Sequence, residues 1–284
     1  VKGERNIWSL SYEVAAPILD TLRVKASGSY EHYSTGQSAF SPKFEAEWRP
    51  IQELKLRGTV SMGLRGPNFN ESFQLPATGY TGATINCSNQ TFAAFCAAHA
   101  SNPSYYTGGY SIGLTSSGNP NLKPEKSTGY TLGAVFQPKR NLTFTVDFWR
   151  TRIKDLIVPA SVTSAIINEY YSNNGVVNVP GFTVVPGTPD PQNPTALPLL
   201  GFVQAPFQNA NAFLGKGIDF SADVRVPLFS GVRLRSLLTA SYLLRLQQIN
   251  DSGSIWRYDG SLGPCGWTSC SGAPKWRATW QNTF

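Results

Sequence analysis

The chain of 284 residues is 14% charged and 12% aromatic, poor in charge and rich in rings for a water-soluble globule. Its mean hydropathy of −0.20 excludes a bundle of membrane helices, and no run approaches the roughly 18 apolar residues such a helix needs. The net charge of +7 comes from Lys and Arg scattered along strand-like segments instead of forming a block, which argues against nucleic acid as a partner.

Taken in order, about nine segments alternate apolar and polar residues with period two, the signature of strands with one oily and one wet face. Weaker cases lie near residues 7–16, 21–32 and 42–49. Between 54 and 64, Leu54, Leu56, Gly58, Val60, Met62 and Leu64 oppose Lys55, Arg57, Thr59, Ser61 and Gly63. Another weak case spans 128–137, and from Leu142 the row Leu142, Phe144, Val146 and Phe148 opposes Thr143, Thr145 and Asp147. Ile218, Phe220, Ala222, Val224 and Val226 oppose Asp219, Ser221, Asp223 and Arg225. From Val232 the pattern repeats, with Leu237 and Leu243 interrupting its wet face, and the last segment lies near 274–282.

The connections alternate between short and long. Pro17 to Asp20, Pro50 to Glu53, Pro138 to Asn141 and Pro227 to Gly231 read as tight turns, whereas 33–41, 65–125, 156–212 and 249–273 read as loops of very different length. Short turns at one side and long loops at the other describe an antiparallel transmembrane β-barrel, with periplasmic turns and extracellular loops. Such a wall also reconciles few charges with near-neutral hydropathy, because only alternate residues of each strand meet lipid. A soluble sandwich has no reason to alternate its connections so strictly, and loops of about fifty residues are rare in compact domains. The stretch from Val179 to Pro206, rich in Pro, Asn and Gly, reads as an exposed loop, with an interdomain linker as the alternative. Arginines on an inner wall or at a lipopolysaccharide-facing rim account for the positive charge.

Several blocks carry a resemblance. Leu64-Arg65-Gly66-Pro67-Asn68-Phe69-Asn70-Glu71 resembles the Phe-Arg-Ala-Pro-x-x-x-Glu block of TonB-dependent outer-membrane receptors, with Leu64 and Gly66 departing from its Phe and Ala. Gly118-Asn119-Pro120-Asn121-Leu122-Lys123-Pro124-Glu125-Lys126-Ser127 is similar to that family's Gly-Asn-Pro-x-Leu-Lys-Pro-Glu-x-Ser block. Tyr130 to Pro138 with Leu142 to Lys154 is similar to its next hairpin, and the blocks at Gly215 to Asp219 and Pro274 to Arg277 to later strands. The resemblance implies a barrel of about 22 strands, of which this chain would hold about nine. The plug domain, the TonB-box peptide, the early strands and the final strands would then lie outside it. An open sheet cannot persist in hydrocarbon, so the remainder of the barrel is expected elsewhere. The start at Val1 lacks a leader and reads as mature or cut, and truncation after Phe284 is expected.

By the same resemblance, the whole receptor would bind a scarce solute, such as a ferric siderophore, cobalamin or an oligosaccharide. It would import it with energy from the TonB-ExbB-ExbD complex, reached through the missing plug. Lipid and lipopolysaccharide would be its further partners. A passive porin-like or adhesin barrel is the alternative, and an outer-membrane hydrolase a minor one. Ligand-contact candidates are the loop aromatics Tyr80, Tyr105, Tyr106, Tyr110, Tyr170, Tyr171, Trp256 and Trp267, with Tyr258 beside them. Rings bury much area at little entropic cost and stack on sugars or aromatic chelators, although they also pack loops and form interfacial girdles. Arg65, Asn68, Glu71, Asn119, Lys123 and Glu125 are expected to brace strand ends or touch the plug, with substrate contact as the alternative.

Enzymatic signals are thin. The two histidines are His32, at a strand end, and His99, in a loop, with no Gly-x-Ser-x-Gly turn to supply a nucleophile. No phosphate-binding glycine loop occurs, and no cofactor is implied. Four cysteines lie two to a loop, and the pairs Cys87 with Cys96 and Cys265 with Cys270 are expected as local disulfides. Zinc is the alternative, although no Cys-x-x-Cys pair supports it.

Overall fold

The computed structural model describes residues 4–34, 36–159, 164–209, 212–229, 231–249, 254–263 and 272–284. Its elements begin with β1 (Ile7–Leu19), β2 (Leu22–Tyr33), β3 (Ser38–Ile51) and β4 (Leu54–Arg65). There follow α1 (Phe69–Phe73), β5 (Ala77–Ala83), α2 (Gln90–Ala98), α3 (Ser104–Thr107), β6 (Tyr110–Ser117), β7 (Glu125–Lys139) and β8 (Leu142–Lys154). The rest are β9 (Ile157–Val158), α4 (Ser164–Ser172), β10 (Thr183–Pro186), β11 (Leu200–Pro206), β12 (Gln208–Asn209), β13 (Ala212–Phe229), β14 (Val232–Ile249), β15 (Ile255–Arg257) and β16 (Trp276–Thr283). They divide into two compact units, the first of Val1–Gly66, Lys123–Leu156 and Ala210–Phe284, the second of Pro67–Leu122 and Ile157–Asn209.

The first unit is a ten-stranded sheet in the order β1-β2-β3-β4-β7-β8-β13-β14-β15, with β16 also on β14. Every pairing is antiparallel. Each alternating segment of the sequence is one of its strands; β15 arises where only loop was expected. Two-residue turns join the hairpins, as at Leu19↔Leu22 and Lys139↔Leu142, and Gly231 takes a left-handed φ of 81° in the tight β13–β14 turn. Among the described residues β1 pairs only with β2, so the sheet is open.

Register decides what each face carries. Through the body of the sheet even-numbered residues pair with even-numbered ones: Phe44↔Val60↔Tyr130 and Gly58↔Leu132↔Phe148↔Ile218↔Tyr242 are two such rows. The even face is apolar and bare. Phe144 is 42%, Val146 40% and Leu132 66% exposed. Each such side chain left in water forgoes roughly 1.5–3 kcal/mol of burial, so the face is built for a non-aqueous phase, as the outer surface of a barrel wall is. No described helix is long and apolar enough to cross a membrane.

The odd face is wet and held by ion pairs: Lys25–Glu13, Lys43–Glu45, Arg57–Asp147 and Arg235–Asp223. Arg57 on β4 reaches Asp147 on β8 across the intervening β7, with Nε to Oδ1 at 3.0 Å and a second guanidinium nitrogen to Oδ2 at 2.6 Å. Gly133 of β7 stands between them. A methyl there would lie 2.9 Å from Asp147 Cγ and 3.1 Å from Arg57 Nε, so the bridge needs a residue without a side chain.

The second unit contains the hydrophobic core: Phe92, Phe95, Cys96, Tyr106, Ile112, Ile166, Tyr170, Tyr171, Leu200 and Val203. Its sheet runs β10-β11-β6-β5, with β11 parallel to β6 and the other pairs antiparallel. Since β6 and β11 come from different long loops, these loops fold together as one body instead of remaining separate coils.

Candidate functional site

The loop unit is assembled around α2. Asn89 caps it by accepting from the Thr91 N–H at 3.0 Å, and the Cys87–Cys96 disulfide ties the preceding loop to the helix with Cα atoms 5.9 Å apart. Phe92 and Phe95 of α2 meet the Tyr171 ring edge-to-face at 5.1 and 5.0 Å, the geometry aromatic quadrupoles favour. Tyr170 and Tyr171, on α4, are 0% and 4% exposed. The Tyr171 hydroxyl pairs with that of Tyr110 at 2.8 Å and accepts from the Leu200 N–H at 3.2 Å, while Tyr170 donates to the Pro198 carbonyl. Burial drives both phenols far above the ordinary tyrosine range, and for Tyr171 the bond to Tyr110 adds to it.

Of the aromatic ligand candidates, then, Tyr106, Tyr170 and Tyr171 are core residues, and Tyr110 is tied to them. They bring the loops together and present no ring to a ligand in this conformation. Tyr105 is partly buried: its hydroxyl donates to the Thr188 carbonyl at 2.5 Å and its ring stacks on His99 at 5.0 Å. Tyr80 and Trp256 are exposed, and Tyr258 is fully buried, donating to Gln248 Oε1 at 3.1 Å. Trp267, Cys265 and Cys270 lie outside the described residues.

His99 caps the C-terminus of α2 and is fully buried with Asp190. Its Nδ1 lies 2.8 Å from Asp190 Oδ2 and its Nε2 2.9 Å from the Leu197 carbonyl. Asp190 also accepts from Asn102 Nδ2, Asn193 Nδ2 and the Gln192 N–H. Burial opposes ionisation of Asp190, but the bonds from Asn193, His99, Asn102 and Gln192 outweigh it and hold the carboxyl well below the usual range. Both imidazole nitrogens face acceptors and the ring is fully buried, so neither is open to a substrate, and the pair clamps two loops. Residue types alone did not reveal Asp190 as the partner, because it lies within the Pro-rich stretch expected to be exposed. That stretch also contains β10 and β11, and Leu200, Val203 and Ala205 are buried. The alternation Phe202, Gln204 against Val203, Ala205 was the available signal. His32 is a strand-end residue whose Nδ1 lies 2.9 Å from Ser38 Oγ.

The motif residues sit where the long loops leave and rejoin the sheet. Arg65 and Glu125 face each other across β4 and β7 and join through two bonds of 2.7 Å, a planar fork answering the nearly buried Glu125 carboxylate. Asn68 and Glu71 form a capping box at α1, each side chain bonded to the other's backbone N–H at 2.8 Å. Asn119 donates through Nδ2 to the Phe207 carbonyl at 2.8 Å and through its backbone to the Glu71 carbonyl. Before it, a Cβ on Gly118 would fall 2.6 Å from the Ser72 carbonyl carbon, a close approach only glycine permits. Lys123 is exposed on the return to β7. Among the described residues no group of three or more His, Cys, Asp or Glu side chains could hold a metal.

Residues 2–282 match the family model of the TonB dependent receptor-like β-barrel. The chain belongs to the TonB-dependent receptor family. Its open antiparallel sheet is that family's barrel wall in part, and its neighbours among solved structures agree. The siderophore receptor PirA from Acinetobacter baumannii superposes with a TM-score of 0.57 at 15% identity, over 99% of this chain and 40% of its own. A mutant of the ferric enterobactin receptor PfeA from Pseudomonas aeruginosa gives a TM-score of 0.54 at 15% identity, over 85% of this chain and 27% of its own. A PfeA mutant in complex with enterobactin gives 0.54 at 16% identity, with the same coverages. The chain thus spans less than half the length of these receptors. No curated protein sequence matches it.

Proposed function

We propose that this chain is part of an outer-membrane receptor that captures a scarce small solute in its extracellular loops and imports it with TonB-derived energy. The supporting observation is the pairing of a bare apolar sheet face with a charged, ion-paired opposite face in a chain of this family. The wall crosses the membrane through the ten-stranded sheet, and further strands and a plug complete the barrel outside this chain. The folded loop unit is the ligand-binding end, with its exposed aromatics as contacts, while Arg65, Glu125, Asn68, Glu71 and Asn119 brace the points where loops take off. Similarity in fold to a siderophore receptor and to a ferric enterobactin receptor puts iron chelates among the solutes to test, beside cobalamin and oligosaccharides. Uptake by cells carrying the complete receptor is to be measured with TonB present, with TonB deleted and with the inner-membrane proton gradient dissipated. Saturable uptake lost in the last two conditions is expected. Uptake that rises in proportion to solute and ignores both would point to a passive pore and overturn the proposal.

A further inference from the structure

On the outer side of the β10-β11-β6-β5 sheet, the face turned away from the core mixes rings with hydroxyls and an amide and carries no charge. Pairing places Tyr80, Gly113, Phe202 and Val185 in one row, and Thr78, Thr115, Gln204 and Thr183 in the next. Ser111 and Gly82 continue it. None of these is an acidic or basic side chain, in a protein whose net charge is +7. Within its own unit the face is uncovered: Tyr80 is 70% exposed, and Phe202 remains partly exposed although it lies over the neighbouring strand.

Gly113 shapes the aromatic row. An ideal Cβ there would lie 3.3 Å from Phe202 Cγ and closer still to the ring edge, so the ring settles over β6 only because that strand has no side chain at this position. Tyr80, on the far side of Gly113, stands tilted against it, with ring centres 6.3 Å apart and planes at 63°. One repeat along the strands, about 7 Å away, the Thr78 and Thr115 hydroxyls share one hydrogen bond of 2.8 Å. That bond uses one hydroxyl hydrogen and leaves the other to donate outward. Beside them the exposed Gln204 amide presents two donors and an acceptor.

From this arrangement we infer that the uncharged face around Tyr80 and Phe202 is a binding platform for a neutral saccharide. A sugar has an apolar C–H face and a rim of hydroxyls. The C–H face lies on the rings, burying apolar area, while the hydroxyls one residue-pair along bond to Thr78, Thr115 and Gln204. An anionic chelate would find no cation on this face to replace its lost hydration, so the platform selects against it. The inference rests on the receptor reading for its setting, and it narrows the solute class to neutral carbohydrate.

The test uses the complete receptor in detergent, with maltohexaose, cellohexaose and xylohexaose as neutral probes and ferric enterobactin as the anionic one. Binding is followed by calorimetry and saturation-transfer NMR. At least one saccharide is expected to bind, with affinity unchanged within about twofold between low and high salt, since no charge pairing is involved. Tyr80→Ala and Phe202→Ala should each weaken it roughly tenfold, the loss of one ring's buried area. Gly113→Val should mimic Phe202→Ala by displacing the ring, and Phe202→Tyr should keep binding. Heat-modifiable migration on gels verifies that each variant is folded, and Tyr80→Ala, at an exposed position, decides if Gly113→Val does not fold. Binding of no saccharide, or of one unaffected by both ring substitutions, overturns the platform. TonB-dependent uptake of a chelate by a receptor that binds none of the saccharides would leave the receptor reading standing and remove the platform. Saccharide bound at the rings without TonB-dependent uptake would do the reverse.

Discussion

Replacing Gly133 by Ala tests the cross-strand bridge of the wet face. In a strand, Gly→Ala ordinarily stabilises by about 0.5–1 kcal/mol, because it removes freedom from the unfolded chain. At Gly133 the sign should reverse, since the methyl would stand 2.9 Å from Asp147 Cγ and 3.1 Å from Arg57 Nε, inside van der Waals contact. Either the Arg57–Asp147 fork opens or the strands shift. The fork is partly exposed, with side chains 46% and 25% accessible, so solvent screening limits it to about 1 kcal/mol, and local overpacking adds about 1–2 kcal/mol. A net loss of roughly 1–2 kcal/mol is expected. Gly58→Ala is the control, because a Cβ there meets nothing nearer than 3.8 Å, and it should be neutral or slightly stabilising. The assay is urea unfolding of the complete receptor in phospholipid vesicles, followed by tryptophan fluorescence, in a double-mutant cycle with Asp147→Ala. If Gly133→Ala costs no more than Gly58→Ala, or costs the same with and without the Asp147 carboxylate, the bridge does not depend on the missing side chain and the reasoning fails.

Removing the Cys87–Cys96 disulfide by Cys96→Ser should lower the stability of the loop unit by about 2.5–3 kcal/mol, the entropy of closing a loop with a separation of nine residues, seen as faster hydrogen exchange of α2 amides while sheet amides keep their protection. Asp190 ionises in the folded protein at a lower pH than in the unfolded chain, so the stability it confers is complete above its ordinary value near 4 and drains away as pH falls through the folded one. Loop-unit protection should therefore weaken below about pH 4, and Asp190→Asn should abolish that dependence while lowering protection at neutral pH. Tyr171→Phe strands the Tyr110 hydroxyl and the Leu200 N–H, which should cost the loop unit about 1–3 kcal/mol; in the parent protein, ultraviolet titration should find Tyr170 and Tyr171 still neutral at pH 11, because burial opposes the phenolate.

Period-two alternation was enough to place the strands of the wall, because the chemistry of a strand facing two different media repeats every second residue. Leu142 to Phe148 is the plainest case: side chains alternate across the pleat, so the apolar row could belong only to one face, and the structure leaves Phe144 and Val146 of that row exposed. The tight turns were legible for the same reason, since alternation must stop where the chain reverses. Arg65, Asn68, Glu71, Asn119 and Glu125 were marked by motif, and the folded chain pairs Arg65 with Glu125 and Asn68 with Glu71.

The interior of the long loops was decided only by tertiary structure. A tyrosine in a polar loop has the same local sequence whether it waits for a ligand or fills a core, and Tyr170 and Tyr171 became core because α4 packs on α2, a contact between residues some seventy positions apart. Asp190 could not be linked to His99, nor Phe202 to Tyr80, for the same reason: both pairs are made by two loops folding on each other, including the parallel β6–β11 pairing. Local periodicity reports the medium each side of a strand will meet, whereas the partner of a loop residue depends on distant chain that only the folded state brings near.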